Sequence, residues 1–323
     1  MDRLCAFDLK RPASVAEAAK LLAADPHARL LAGGTDLVPN LRRGIERPPT
    51  LIDLGGITDF DAIVPSDTQI VLGAGVTLAR LGADEFVASR YTAIAEAARA
   101  IAGPGHRSVA TIGGNLCLDT RCVFYNQSEW WRAANAYCLK RGGDTCHVAP
   151  QGNHCHAAFS GDLAPALIAL DAQVELVSAR GARRVALAQL YRDDGAAHLA
   201  LEAGELLTQV FVPRNDGVRS GYRKARVRGS MDFPLAGVAI ALVMEGARIA
   251  RIRIALTGTN SHPLLLGGTD TLVGRAIDDA TLASLAKLVA KQVSPMRTTA
   301  TASNYRRQVA LVLARRLLRE LSA

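Results

Sequence analysis

The chain has 323 residues, 49% hydrophobic and 21% charged, proportions of a folded globular protein that exclude disordered and fibrous classes. Its 38 Lys plus Arg against 30 Asp plus Glu leave a formal +8, which suits an acidic partner such as nucleic acid, a phosphate-bearing ligand or an acidic electron carrier. The longest apolar run, over 233–244, is 12 residues long and holds a proline and a glycine, too short to span a bilayer.

The N-terminal "MDRLCAFDLKRP" has no apolar signal region, so a cytoplasmic protein is expected. The first predicted element is a helix in "SVAEAAKLLAA", with Ser14 as cap, Glu17 three residues on, and apolar Val15, Ala18, Leu21 and Leu22 at helical spacing. Strands follow in "ARLLA", ending at Gly33-Gly34, in "TLIDL" from Thr50 and in "QIVLGAGV" from Gln69. Helical periodicity resumes over 78–88 and 93–102. Further on, "DLAPALIALDAQVELVSARGARRVAL" reads as a short helix and then a hairpin turning near Gly181. Proline, asparagine and glycine interrupt the pattern at Val212 to Gly217, so a flavourless turn-rich link is expected to divide a first unit, 1–216, from a second, 217–323. The second holds strands in "GYRKARVR" and "GVAIALVMEGARIARIRIALTG", turning at Glu245-Gly246, then helices over 280–293 and 303–321. Val309, Val312, Leu313, Leu317 and Leu321 share one face of the last helix. The mixture without strict alternation predicts an α+β fold ending in a sheet covered by helices.

Two glycine pairs stand out, in "LLAGGTDL" and "TIGGNL", both expected where strands end. Adjacent glycines let the backbone turn N–H groups toward an anion at close range, and phosphate is the natural occupant. Thr35, Asp36, Thr111 and Asn115 add hydroxyl, carboxylate and amide groups able to orient a ribose, a ribityl chain or a pyrophosphate. Neither pair is a G-x-G-x-x-G fingerprint, and no G-x-x-x-x-G-K-[ST] loop occurs.

Together with "IAGPGHRSVATIGGNL", "GDLAPALIALDAQVEL", "GYRKARVRGSMDFPLAGVAIAL" and "ASNYRRQVALVLARRLL", these motifs give nearly the whole chain an order that resembles the FAD-binding subunits of the xanthine dehydrogenase and carbon monoxide dehydrogenase class of molybdenum enzymes. The resemblance implies FAD lying between two subdomains of the N-terminal unit. Leu31, Ala32, Gly33, Gly34, Thr35 and Asp36 would wrap its pyrophosphate, and Thr111, Gly113, Gly114 and Asn115 would form a second phosphate loop. Ile101 would pack near the flavin, Asp162 would bind a polar part of the cofactor, and Lys224 would sit near the ring system.

Five of the six cysteines and both tryptophans lie within 117–155. By the resemblance, relatives pass from "GGNL" to "GDLAPAL" over a much shorter link, so residues 118–158 read as an insertion. Cys117 follows the glycine loop directly and is expected to be a packed thiol, as is Cys5. Cys122, Cys138, Cys146 and Cys155 remain inside the insertion. Their chemistry suits a 4Fe-4S cluster, zinc with help from His147, His154 or His156, or unligated thiols in a reducing compartment. The stretch "TIGGNLCLDTRCVFYNQSEWWR" resembles one branch of the class, the β subunits of 4-hydroxybenzoyl-CoA reductases, whose insertion carries a 4Fe-4S cluster.

That resemblance implies an electron-transfer subunit and no catalytic residue of its own. Electrons from reduced ferredoxin would reach FAD through the cluster and pass to partner subunits carrying 2Fe-2S centres and a molybdenum cofactor, for reductive removal of an aromatic hydroxyl in anaerobic aromatic degradation. Trp130 and Trp131 would shield the cluster or anchor the loop. Two arginine clusters, Arg219, Arg223, Lys224, Arg226 and Arg228 and Arg306, Arg307, Arg315, Arg316 and Arg319, would face ferredoxin or partner subunits in a dimer of three-subunit units. The alternative within the class is a flavin subunit serving NAD or a quinone, its insertion holding zinc or nothing. Nucleic-acid binding is disfavoured because aromatic residues are only 5% of the chain and the glycine loops would have no role in it.

Overall fold

The computed structural model describes residues 4–322, whose strands form three sheets. Strands Asp8–Lys10 (β1), Arg29–Leu31 (β2) and Thr50–Asp53 (β3) make a small parallel sheet in the order β1-β3-β2. The helix Val15–Ala24 connects β1 to β2. Ser14 Oγ accepts the Glu17 N–H at 3.2 Å, while the Glu17 carboxylate accepts the Ala13 N–H at 2.9 Å, one residue upstream of the usual capping-box partner.

The second sheet is antiparallel, with Ile63–Pro65 (β4), Gln69–Gly73 (β5), Gln173–Ser178 (β6), Gly181–Ala186 (β7) and Leu206–Pro213 (β8) in the order β4-β5-β8-β6-β7. Because β8 pairs with both β5 and β6, everything from 74 to 172 is an excursion between two strands held by the same neighbour. That excursion carries most of the candidate site. Gly181 turns the β6–β7 hairpin at φ 133°, a value that glycine alone adopts readily.

The third sheet, Arg219–Ala225 (β9), Ala236–Glu245 (β10), Arg248–Thr257 (β11) and Leu264–Leu265 (β12), is antiparallel in the order β12-β11-β10-β9. Alternation along β10 serves two cores. Val238, Ile240 and Leu242 pack with Leu282, Leu285 and Val289 of the helix Asp279–Gln292 and with Ala310, Ala314 and Leu317 of the helix Ser303–Ser322. Ala239 and Ala241 face the other way, into the core that holds Ala93 and Ala97 of the helix Thr92–Ala100 and Ala164 and Ile168 of the helix Leu163–Ala169. A strand buried on both faces reads as one continuous apolar run. Its alanine face lets those helices pack close to the sheet.

Two expected helices differ in detail. The span 78–88 is two helices, Leu78–Ala83 and Glu85–Arg90, because Asp84 turns extended and accepts the Val87 N–H at 2.9 Å as a new N-cap. The span 93–102 is the helix Thr92–Ala100, after which Ile101 is extended and Ala102 takes φ 44°. Among the described residues no helix is long and apolar enough to cross a membrane.

Candidate functional site

The first glycine pair sits between β2 and the short helix Leu37–Arg42. Gly34 adopts φ 69°, and a Cβ on Gly33 would overlap the Val109 carbonyl oxygen, so the two glycines are required for different reasons. The close approach at Gly33 seats this loop beside the segment leading into Thr111. Asp36 accepts from Asn40 Nδ2 at 3.2 Å and forms an ion pair with Arg121.

The second pair is not at a strand end. Residues Ile112–Leu116 form a short helix whose cap, Thr111, accepts the Gly114 N–H at 3.1 Å, and neither Gly113 nor Gly114 has positive φ. Gly113 instead allows close packing: its N–H donates to the Ala74 carbonyl at 2.8 Å, and a Cβ there would lie 3.0 Å from Ala74 Cβ. Asn115 Oδ1 accepts the Leu163 N–H at 3.1 Å, joining this turn to the segment that carries Asp162.

Asp162 and Lys224 form a buried ion pair at 2.9 Å, each side chain 4% exposed. The Tyr222 hydroxyl donates to the other carboxylate oxygen of Asp162 at 2.5 Å. Burial pushes the Asp162 carboxyl above its ordinary value, while Lys224 and the Tyr222 hydrogen bond oppose the rise. Lys224 and Arg226 each donate to the Ala100 carbonyl at 3.2 Å, so two cations meet the C-terminal end of the helix Thr92–Ala100, where its dipole is negative. Ile101 follows directly, buried, its carbonyl accepting from Arg107 at 2.8 Å. Residues 31–36, 101, 111–115, 162 and 224 are thus linked by direct contacts and short chain connections. Sequence reasoning missed Tyr222 and Arg121, whose partners are remote in the chain.

The insertion is closed at its base by an antiparallel bridge, Arg121 and Ala158 exchanging two backbone hydrogen bonds of 2.8 Å. Buried Arg132 anchors it by donating to the Gly44 carbonyl at 3.3 Å and to Glu129 at 2.5 Å. Cys122, Cys138, Cys146 and Cys155 are all buried and line one pocket, walled by Phe124, Tyr125, Leu139, Val148 and Ala157. Lys140 and His147 also reach it. Among the described residues, no three or more His, Cys, Asp or Glu side chains are set as a ready metal-ligand group. The cysteines are free thiols; burial raises Cys122 and pushes Cys155 up to about 12.

In donor type the pocket fits a thiolate-ligated group. It has four sulfurs, apolar walls and backbone N–H donors aimed at sulfur, including Ala157 N–H to Cys155 Sγ at 3.4 Å, which are features that orient and tune such ligands. A bound cation would reverse the effect of burial on the thiols. His154 and His156 lie ring against ring at 4.1 Å between centroids, tilted by 48°, and do not line the pocket, which leaves His147 as the one histidine placed to join the thiols. Trp130 is 79% exposed and shields nothing, whereas Trp131 packs against Phe124. Cys117 lies outside the pocket against the main core, its thiol pushed up to about 12 by burial.

The arginine clusters are less available than their sequence suggests. Arg306 is buried and donates to the carbonyls of Leu235, Met296 and Gly258. Arg223 pairs with Glu96 and Glu320, Arg228 with Asp232, and Arg319 with Asp279. Arg307, Arg315 and Arg316 remain exposed on the last helix.

Residues 5–215 match a family described as the FAD binding domain in molybdopterin dehydrogenase, and residues 220–321 match the CO dehydrogenase flavoprotein C-terminal domain. The chain is 32% identical over 320 residues to the carbon monoxide dehydrogenase medium chain of Afipia carboxidovorans, covering 98% of this chain and 97% of that one. It is 33% identical over 292 residues to the aldehyde oxidoreductase FAD-binding subunit of Escherichia coli (strain K12), covering 86% and 90% of the two. A crystal structure of Cu,Mo-CO dehydrogenase contains a chain that superposes with a TM-score of 0.81 at 29% identity, covering 98% of this chain and 97% of that one.

Proposed function

Since the chain belongs to the family of FAD-binding subunits of molybdenum hydroxylases, we propose that it is the electron-transfer subunit of such a complex and that its insertion holds a 4Fe-4S group beside the flavin. Residues 1–216 form the flavin unit in this reading and 217–323 a second unit. When bound, FAD and an iron-sulfur group supply electron carriers, the flavin able to hold two electrons and the cluster one.

The chain's own residues bind and orient. Leu31, Ala32, Gly33, Gly34, Thr35 and Asp36 form one wall for the phosphates, and Thr111, Gly113, Gly114 and Asn115 form the other. Ile101 excludes water near the flavin, and the Asp162–Lys224 pair fixes the wall behind it. Cys122, Cys138, Cys146 and Cys155 are the sulfur ligands. No general base or nucleophile of this chain is required.

The observation that carries the reading is the convergence of four insertion thiols on one pocket. Partners are a large molybdenum subunit and a small 2Fe-2S subunit, with ferredoxin as donor and a dimer of heterotrimers as the assembly. Resemblance of the insertion to the reductase branch makes reductive dehydroxylation of 4-hydroxybenzoyl-CoA the first activity to assay. A second reading, an oxidising complex acting on an aldehyde or a similar substrate, is favoured by 33% identity to an aldehyde oxidoreductase subunit.

The test is iron and acid-labile sulfide per FAD after anaerobic purification. About four of each per FAD is expected for a 4Fe-4S group; flavin without iron after attempted reconstitution refutes the cluster. Turnover of 4-hydroxybenzoyl-CoA with reduced ferredoxin, set against aldehyde oxidation with an acceptor, decides between the two activities.

A further inference from the structure

One side chain at the base of the insertion touches both the first glycine loop and the segment between β9 and β10. Arg121 occupies the base of the insertion, its backbone held by the bridge to Ala158, and the next residue is Cys122. Its side chain is only 13% exposed and reaches in two directions, to Asp36 of the first glycine loop and over the Phe233 ring at 4.8 Å. Phe233 belongs to the segment between β9 and β10, where the Met231 N–H donates to the Ala102 carbonyl at 3.4 Å beside Ile101. From one anchored position, Arg121 therefore touches the phosphate-loop side and the flavin-ring side of the proposed cleft.

We propose that Arg121 is a positioning residue of the flavin site, clamping the Asp36 loop and the Phe233 segment in register, and that it thereby couples FAD affinity to occupancy of the thiol pocket. Shelter from solvent makes the contact more consequential than a surface ion pair, which is worth little. Because Arg121 and Cys122 are consecutive, anything that orders the thiols also orders the clamp. Coupling of this kind is reciprocal between two sites. The clamp rests on the family's flavin site; the coupling rests on the proposed sulfur-ligated group.

The experiment measures the FAD dissociation constant of the full-length chain by flavin fluorescence, with circular dichroism melts as a control for folding. Arg121→Met is expected to weaken FAD about tenfold, equivalent to about 1.4 kcal/mol. Asp36→Asn is expected to weaken it as well, and the double variant no further than the more damaging single change, because the two residues act together. Arg121→Lys, which keeps the charge, is expected to fall between wild type and Arg121→Met and carries the test if the Met variant does not fold. An unchanged constant in both Arg121 variants, or fully additive losses with Asp36→Asn, overturns the clamp. Stripping iron with a chelator should weaken FAD in the wild type and leave Arg121→Met unaffected; equal weakening in both overturns the coupling. If the wild type holds no iron, the cluster reading and the coupling fall while the first comparison still decides the clamp.

Discussion

Replacing Lys224 with methionine strands the Asp162 carboxylate in the core. The pair is 2.9 Å apart and each side chain is 4% exposed; at an effective dielectric of about 20 the attraction at that separation is about 6 kcal/mol. Desolvation of both charges offsets much of it, and loss of one partner from such a buried pair costs about 3–5 kcal/mol. Asp162 keeps the Tyr222 hydroxyl at 2.5 Å, and burial already holds its carboxyl above 3.8, so proton uptake is the variant's main relief. The sign follows from linkage: with the folded value raised above the unfolded one, the native state retains a proton that the unfolded chain releases, and stability falls as pH rises between the two values. Urea unfolding should show the deficit of Lys224→Met against wild type shrinking as pH falls toward the carboxylate range and growing as it rises. The double variant Asp162→Asn with Lys224→Met removes both charges and should be more stable at neutral pH than Lys224→Met alone. Equal destabilisation at every pH, or a double variant equal to the sum of the singles, refutes the argument.

Gly33→Ala forces a methyl group into the Val109 carbonyl oxygen, a backbone atom that no rotamer change can move. A destabilisation of at least about 1–3 kcal/mol and loss of FAD on gel filtration are expected. Burial lowers the His198 imidazole to about 4 from 6.5, its ring nitrogen bonded to the Leu118 carbonyl at 2.9 Å. The unfolded chain therefore takes up a proton first as pH falls from 6.5 to about 4, removing up to about 3 kcal/mol of stability; His198→Gln should flatten that part of the pH profile of the urea midpoint. If ferredoxin is the donor and docks on that face, reversing the exposed charges of Arg307, Arg315 and Arg316 to Glu should slow its electron delivery at low salt and flatten the salt dependence. An unchanged salt slope would assign the face elsewhere.

Features governed by local periodicity were legible in the sequence, and features governed by distant partners were not. Ser14 announces its helix, and the run around Val238 to Leu242 announces a buried strand, because capping and alternation act over a few residues. Arg306 belongs to a basic helix face by spacing, yet carbonyls of Leu235 and Gly258 draw it into the core. The pair Gly113-Gly114 looks like a loop because what Gly113 serves, the close approach of Ala74, is remote in the chain. Tyr222 carried no local signal, since its acceptor Asp162 lies 60 positions away.

The cysteines fall between these cases, and their position explains the division. Their concentration in one segment is visible from composition, and a closed insertion base brings such a segment's side chains near one another. Whether thiols become ligands is a different question, because coordination requires deprotonation, and burial alone opposes it, as the rise of Cys155 to about 12 shows. Burial therefore disfavours the thiolates of Cys122 and Cys155, while an iron-sulfur group would stabilise charged sulfurs there. If the insertion holds such a group, its stability should depend on that group more than the stability of the sheets around it does, and Arg121, at the boundary between the two, is then the residue through which that dependence would reach the flavin.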